Sequence, residues 1–310
     1  MIENKHFGID PEKLGWAIIK KTFKEVDPQS RTSLPVYRVR WWGYTEKWGA
    51  DSFIIDVLGC NEDCAHCYVP TPLLRADINS FEFEKKFRKL PRLLQEFPQP
   101  ADKLFEYSLN RFKKKFGSAQ GGVIELNGGE PTLYPGAIKR LGELCQREKI
   151  TLGVNTNGFV IATQDGFLND LDGLQDTIAF MVSIKGTMPE EFRKFSGASA
   201  KHYLTPFIAA KEIQKRGFRP ARLGVILDTI AAPETIDKDL KRFFLLLNEF
   251  GLDKRMINLD RITEKILGHE LPTMNKMIKS GYYDREEGGL IRHTNPLLVE
   301  KSIREIISTS

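Results

Sequence analysis

The chain has 310 residues, of which 41% are hydrophobic and 28% charged, with a net charge of +5 and no low-complexity tract. That length can bury one large α/β core or two small ones, and the composition excludes disordered, collagen-like and disulfide-stapled classes. The opening residues MIENKHFGID lack a charged-then-apolar secretion signal, and no apolar stretch nears the roughly 20 residues of a membrane span, so a cytoplasmic protein with no membrane partner is expected.

Residues 1–50 read as an N-terminal extension, in which YRVRWWGYTEKWG (37–49) places strand-forming residues around a turn and suggests a packing element. From residue 53 short apolar runs alternate with helical patterns. FIIDVL (53–58) is the first predicted strand, a helical insert covers about 74–120, and GVIELN (122–127) is the second strand. AIKRLGELC (137–145) follows as a helix, then ITLGVN (150–155) and TIAFMVSI (177–184) as strands. LTPFIAAKEIQKRG (204–217) is helical, ARLGVIL (221–227) a strand, IDKDLKRFFLLLNEFG (236–251) an amphipathic helix and RMINLD (255–260) the last strand. Six strands separated by helices predict a parallel sheet of repeated βα units, a core over 51–260. Residues 261–310 form a C-terminal extension of helical pieces broken by Gly and Pro, without cysteine.

In such sheets the chemistry sits in loops at the C-terminal ends of the strands. The unusual residues fall there: GCNEDCAHC follows the first strand, GGEP the second, NTNG the third and KGT the fourth. Asp228 and Asp260 end the fifth and sixth strands at the same rim, where each either faces substrate or caps the next turn. The basic runs EKKFRKLPR (84–92) and NRFKKKFG (110–117) read first as solvated helix faces.

The first loop puts Cys60, Cys64 and Cys67 within eight positions; the remaining cysteine, Cys145, lies on a predicted helix and reads as a packed small hydrophobe. Thiolates hold zinc or iron–sulfur clusters. A structural zinc site wants four ligands, and the only candidates for a fourth are Cys145 and His66, which would have to fold back sharply between two neighbouring ligands. Electron-transfer ferredoxin clusters also want four cysteines, at other spacings. A cubane held by three thiolates leaves one iron open to bind a substrate or cofactor.

The spacing Cys60-x3-Cys64-x2-Cys67 after a first strand resembles the signature of the radical S-adenosylmethionine (SAM) superfamily. LNGGEPTL (126–133) is similar to its second-strand motif, and VNTNGF (154–159) to its third. SIKGTMPEEFRKFSGAS (183–199) resembles the fourth-strand region of the glycyl-radical activating enzymes, the branch that includes the pyruvate formate-lyase activator.

The resemblance implies a partial (β/α)6 TIM-like barrel. It implies a [4Fe–4S] cluster on Cys60, Cys64 and Cys67, whose free iron chelates SAM, and an activating-enzyme-like oxidoreductase chemistry that releases a 5′-deoxyadenosyl radical to abstract hydrogen from a substrate. His66 and Tyr68 would line the adenine. Gly128 and Gly129 would let the backbone approach the ligand, and Glu130 would accept hydrogen bonds from the methionine ammonium. Lys185 would pair with the SAM carboxylate; Thr156, Asn157 and Ser183 would contact ribose or methionine. Asn155 and Ser183 stand where the activator branch carries aspartates that help hold a monovalent cation, which puts that cation in doubt.

Two substrate classes stay open: a glycyl-radical partner protein, or a small molecule, peptide or RNA bound with help from the 74–120 insert, which is atypical of the activators. Nothing in the sequence indicates nucleic acid. An electron donor such as flavodoxin or ferredoxin is implied. The reading of another class is a non-catalytic iron–sulfur or zinc redox sensor, which has no need of GGEP and SIKG.

Overall fold

The structure, a computed structural model, describes residues 9–23, 31–45, 48–64, 67–186, 188–226, 233–252 and 257–259. The first helix among the described residues is α1 (Pro11–Thr22), whose N-cap Asp10 accepts hydrogen bonds from the Glu12 and Lys13 amides. Strands β1 (Ser33–Leu34), β2 (Val36–Thr45) and β3 (Ala50–Val57) follow, then helices α2 (Thr71–Leu74) and α3 (Phe81–Phe87), strand β4 (Gln99–Pro100) and helix α4 (Ala101–Phe116). The repeating part runs β5 (Val123–Gly128), α5 (Pro135–Glu148), β6 (Thr151–Thr156), α6 (Phe159–Thr163), β7 (Ile178–Lys185), α7 (Pro189–Ser196), α8 (Thr205–Lys215), β8 (Arg219–Ile226), α9 (Pro233–Glu249) and β9 (Ile257–Leu259).

The main sheet has the order β2-β3-β5-β6-β7-β8-β9. All neighbours after β3 are parallel and follow chain order, which is the α/β architecture expected of a partial TIM-like barrel; the sheet is open, with β2 and β9 as its edges. The 37–49 stretch contributes β2, which pairs antiparallel with β3 from Val36↔Val57 to Thr45↔Ala50. The insert is helical, and its last helix, α4, carries the chain from the first parallel strand to the second.

Side chains alternate across a strand, and the register fixes which residues share a face. Phe53, Ile55 and Val57 of β3, Ile124 and Leu126 of β5, Leu152 and Val154 of β6, and Ile178, Phe180, Val182 and Ile184 of β7 all belong to the main apolar cluster. Helices cover this face: the Phe53 ring lies 5.8 Å from that of Tyr107 on α4. The other face carries Asp56, Glu125, Asn127, Asn155, Ser183 and Lys185. Asp56 and Glu125 are wholly buried, and a buried charge needs partners. Those partners form the site.

His66, Asp228, Asp260 and the 261–310 extension lie outside the described residues. Among the described residues no helix is long and apolar enough to cross a membrane.

Candidate active site at the strand ends

The loop after β3 begins at Gly59, whose φ of +82° favours glycine and where an added Cβ would also run into Ile18 of α1. Cys60 and Cys64 are buried and Cys67 half-buried; all three are free thiols. Burial, helped by the nearby Glu62 and Glu130 carboxylates, pushes the Cys60 thiol far above its usual range, and burial does the same to Cys64. Arg75 clamps the loop: its Nη1 donates to the carbonyls of Cys60 and Glu62, each at 3.4 Å, and its Nη2 lies 3.2 Å from Asp63 Oδ2.

The GGEP turn closes directly onto this loop. The Gly129 amide donates to the Val57 carbonyl at 2.8 Å and the Glu130 amide to that of Gly59 at 2.7 Å. A Cβ on Gly129 would stand 1.9 Å from the Gly59 carbonyl oxygen, and one on Gly128 (φ +94°) would press on Asp56 and Val57. The glycines, read from sequence as an approach to a ligand, here admit the backbone of the first strand and its loop.

Glu130 joins the second and third motifs. Its Oε1 accepts hydrogen bonds from the Thr132 amide and hydroxyl at 3.1 and 2.5 Å and from the Thr156 hydroxyl at 2.7 Å; its Oε2 accepts from the Asn157 amide at 2.7 Å. Burial raises its carboxyl above the usual range, and these four donors offset that only in part. Asn157 continues the chain of contacts, because its Oδ1 accepts from the Phe159 amide and its Nδ2 donates to Asn61 Oδ1 at 2.6 Å. All four of these donors to Glu130 come from the second and third motifs.

Lys185 closes the ring from the fourth motif. Its Nζ lies 2.7 Å from Glu62 Oε2, with both side chains under 10% exposed (6% and 3%). The Cys64 thiol donates to the same Glu62 oxygen at 3.5 Å. Burial opposes the Lys185 charge, but Cys64, Glu62 and Cys60 outweigh it and hold its pKa above the usual value. This pair ties the end of β7 to Glu62, inside the cysteine loop.

Asn155 sits deeper. Its Nδ2 donates to Glu125 Oε1 at 2.6 Å and to the Leu126 carbonyl at 3.1 Å, while Trp48 Nε1 donates to Glu125 Oε2 at 2.8 Å. Gly153 makes room for the Trp48 ring, which a Cβ there would meet at 2.7 Å. Ser183 is half-buried on the same face of β7. Tyr68 is half-buried, its ring 5.9 Å from the Arg38 guanidinium, and burial pushes its hydroxyl well up.

The donor set fits an iron–sulfur cluster. Soft thiols are its ligands, three stand on one loop, and a cluster's irons would supply the positive charge that buried thiolates need. Cys145 is wholly buried on α5, where burial alone raises its thiol. Among the described residues no three His, Cys, Asp or Glu side chains are gathered closely enough to hold a metal ion. Cys60, Cys64 and Cys67 would hold the cluster as its three thiolate ligands.

Sequence reasoning missed Asn61, Glu62, Arg75, Glu125 and the Arg38–Asp56–Arg40 group. Glu62 had a signal, as a carboxylate between two cysteines, and so had Asp56 and Glu125, charges inside apolar strand runs. Arg75 had none.

The Radical SAM superfamily model matches residues 54–247. Solved structures similar to this chain include Streptococcus suis SuiB (15% identity, TM-score 0.48, covering 81% of this chain and 45% of that one). The same protein bound to S-adenosylmethionine gives 14% identity and a TM-score of 0.48, covering 81% of this chain and 46% of that one. TYW1 with a lysine-pyruvate adduct bound gives 15% identity and a TM-score of 0.38, covering 74% of this chain and 70% of that one. The chain thus spans under half the length of the SuiB chains it matches. A search of curated proteins found no match. The family match covers well over half of the chain and contains the cysteine loop and the three strand-end motifs knitted to it: the chain belongs to the radical SAM superfamily, whose enzymes use a [4Fe–4S] cluster and S-adenosylmethionine.

Proposed function

We propose that this chain cleaves SAM reductively and directs the resulting radical at a bound substrate. One observation supports this most: the loops after β3, β5, β6 and β7 are tied into one unit by Glu130, Asn157–Asn61 and Lys185–Glu62. A mere cluster holder does not need three further strand ends locked to its cysteine loop.

When bound, the cluster and SAM supply a 5′-deoxyadenosyl radical that abstracts a hydrogen atom. Cys60, Cys64 and Cys67 would hold the cluster. Lys185 has three N–H donors and one faces Glu62, so the others can receive a ligand carboxylate. Glu130 can take a ligand ammonium in place of the Thr132 or Thr156 hydroxyl, since either hydroxyl can rotate to another acceptor. Gly128 and Gly129 keep the second motif pressed on the first, which positions these groups and keeps water out. Tyr68 forms an aromatic wall beside Cys67. The electron would come from a flavodoxin- or ferredoxin-type donor.

A glycyl-radical partner protein is the narrower reading. It rests on the 183–199 stretch and on a sequence with no cysteines for an auxiliary cluster, while Asn155 with Ser183 departs from that branch's aspartates. The test is anaerobic reconstitution of the full chain, iron and sulfide analysis, then reduction with dithionite in the presence of SAM. Formation of 5′-deoxyadenosine and methionine is expected. A cluster-loaded, reduced protein that leaves SAM intact would overturn the proposal.

A further inference from the structure

Strand β2 carries two arginines on the polar face of the sheet, beside the cysteine loop. Arg38 and Arg40 both reach the buried carboxylate of Asp56. Arg38 Nε donates to Asp56 Oδ2 at 2.5 Å; Arg40 donates from Nε to the same oxygen at 3.1 Å and from Nη2 to Oδ1 at 3.5 Å. Aromatic rings flank the group: Tyr68 lies 5.9 Å from the Arg38 guanidinium, and Trp42 lies 4.5 Å from that of Arg40.

Charge and geometry leave this group unfinished. One carboxylate balances one guanidinium, so two arginines on Asp56 carry a net charge of +1. Neither arginine has a second carboxylate partner among the described residues. Both terminal amino groups of Arg38 and one of Arg40 are free of hydrogen bonds to described residues. The arginine side chains are 31% and 21% exposed while Asp56 is wholly buried, so the pair opens outward from a fixed base. A surface salt bridge needs one cation. Here Asp56 holds two planar forks side by side, the arrangement that takes a carboxylate or phosphate through paired N–H donors. Trp42, 60% exposed, offers an apolar wall at the outer end.

We propose that Arg38 and Arg40, oriented by Asp56, bind the acidic group of the substrate, a carboxylate or a phosphate. Tyr68, 5.9 Å from the Arg38 guanidinium, directly follows Cys67 in the chain, and Arg38 pairs with Asp56 next to the last residue of β3, so the anchor stands at the cysteine-loop end of the sheet. The inference rests on the function proposed above, for which it names a substrate class: anionic molecules gripped by their acid end.

The experiment is calorimetry on the cluster-reconstituted full chain saturated with SAM, with inorganic phosphate and acetate as probes. Wild type is expected to bind one equivalent of one probe, and the better probe separates phosphate from carboxylate substrates. Arg38→Lys keeps the charge and loses the fork; Arg38→Gln loses both. Asp56 keeps Arg40 in each, so both variants should fold, and Arg38→Lys carries the test should Arg38→Gln melt early. Each should bind the probe about tenfold more weakly, or worse, while the exposed Lys139→Gln should bind it as wild type does. Binding of neither probe, or equal binding by wild type and the Arg38 variants, overturns the proposal. So does a probe that binds without SAM and is displaced by it, because the arginines would then serve the SAM carboxylate. Absence of 5′-deoxyadenosine from reduced wild type counts instead against the proposed function, so the two failures are told apart.

Discussion

The two faces of the central sheet follow different rules. On the helix-covered face Phe53, Ile55, Leu126, Val154, Phe180 and Val182 pack without polar partners, and each position asks only for an apolar side chain of about the right volume. On the other face Asp56, Glu125 and Lys185 are buried as well, and each needs a named partner: two arginines, an asparagine with a tryptophan, and a glutamate. The first face makes the fold stable and tolerates apolar substitutions that keep the volume. The second is unforgiving, because removing one partner strands the other.

The sharpest way to break this comparison is the cysteines, which belong to both environments. Cys60→Ala, Cys64→Ala and Cys67→Ala are each expected to abolish the iron–sulfur chromophore after reconstitution, whereas Cys145→Ala should keep it, since Cys145 is packed on α5. Iron and sulfide analysis of the four variants decides it. Loss of the cluster in Cys145→Ala would mean that the apolar side supplies a ligand.

What was legible in the sequence divides along the same line. The apolar face announces itself through periodicity, so the six strands and their order of appearance could be read from runs such as FIIDVL and TIAFMVSI. The rim motifs could be read too, since glycines, cysteines and a proline at strand ends have few ordinary uses. The pairings could not. Lys185 and Glu62 are 123 positions apart, and no local rule says that a lysine ending the fourth parallel strand meets a glutamate in the first loop. The arginines of YRVRWW carried no signal of a partner, because only the β2–β3 register puts Asp56 opposite Arg38. Glycine spacing likewise could not tell a ligand from a neighbouring backbone as the thing approached at Gly129.

The buried Lys185–Glu62 pair sharpens the comparison energetically. Lys185→Met leaves a buried glutamate without its cation and is expected to cost about 3–5 kcal/mol in the cluster-free protein. Adding Glu62→Gln should restore much of that. On the apolar face Phe180→Ala should also cost about 3–5 kcal/mol, but no second deletion nearby will restore it. Denaturant unfolding of the singles and the double variant measures the difference. A double variant no better than Lys185→Met would show that the pair is not the partner system described.

Glu130 gives a smaller effect with a pH signature. Glu130→Gln turns one of two acceptors into a donor that faces other donors, and about 1–3 kcal/mol is expected to be lost at neutral pH. Because burial raises its carboxyl above the usual 4.5, the folded state binds this proton more tightly than the unfolded state. The contribution is therefore most favourable below pH 4.5 and declines as pH rises from there through the raised folded value. The wild-type stability profile should carry this downward component, and Glu130→Gln should lack it. Identical slopes in the two proteins would mean that Glu130 titrates normally.

The smallest effect is expected at the basic end of α4, far from the polar face. Lys113, Lys114 and Lys115 occupy the last turn, where the helix dipole favours cations. Lys113 lies 3.7 Å from Glu148, both well exposed, and the Lys115 ammonium lies 4.0 Å from the centre of the Trp41 ring. Each is the kind of contact worth a fraction of a kcal/mol and weakened by salt. Changing all three to Gln should lower stability by no more than about 1–2 kcal/mol, less at high salt, and should leave the SAM-cleavage rate unchanged, because none of them touches the strand-end loops. The same triple variant tests whether this helix docks a macromolecular substrate. If it does, turnover of that substrate should fall in the variant, and wild-type turnover should fall with added salt, since exposed charges are screened over about 8–10 Å near physiological ionic strength. Equal turnover by both proteins at low and high salt would leave the three lysines as a helix end and a cover for Trp41.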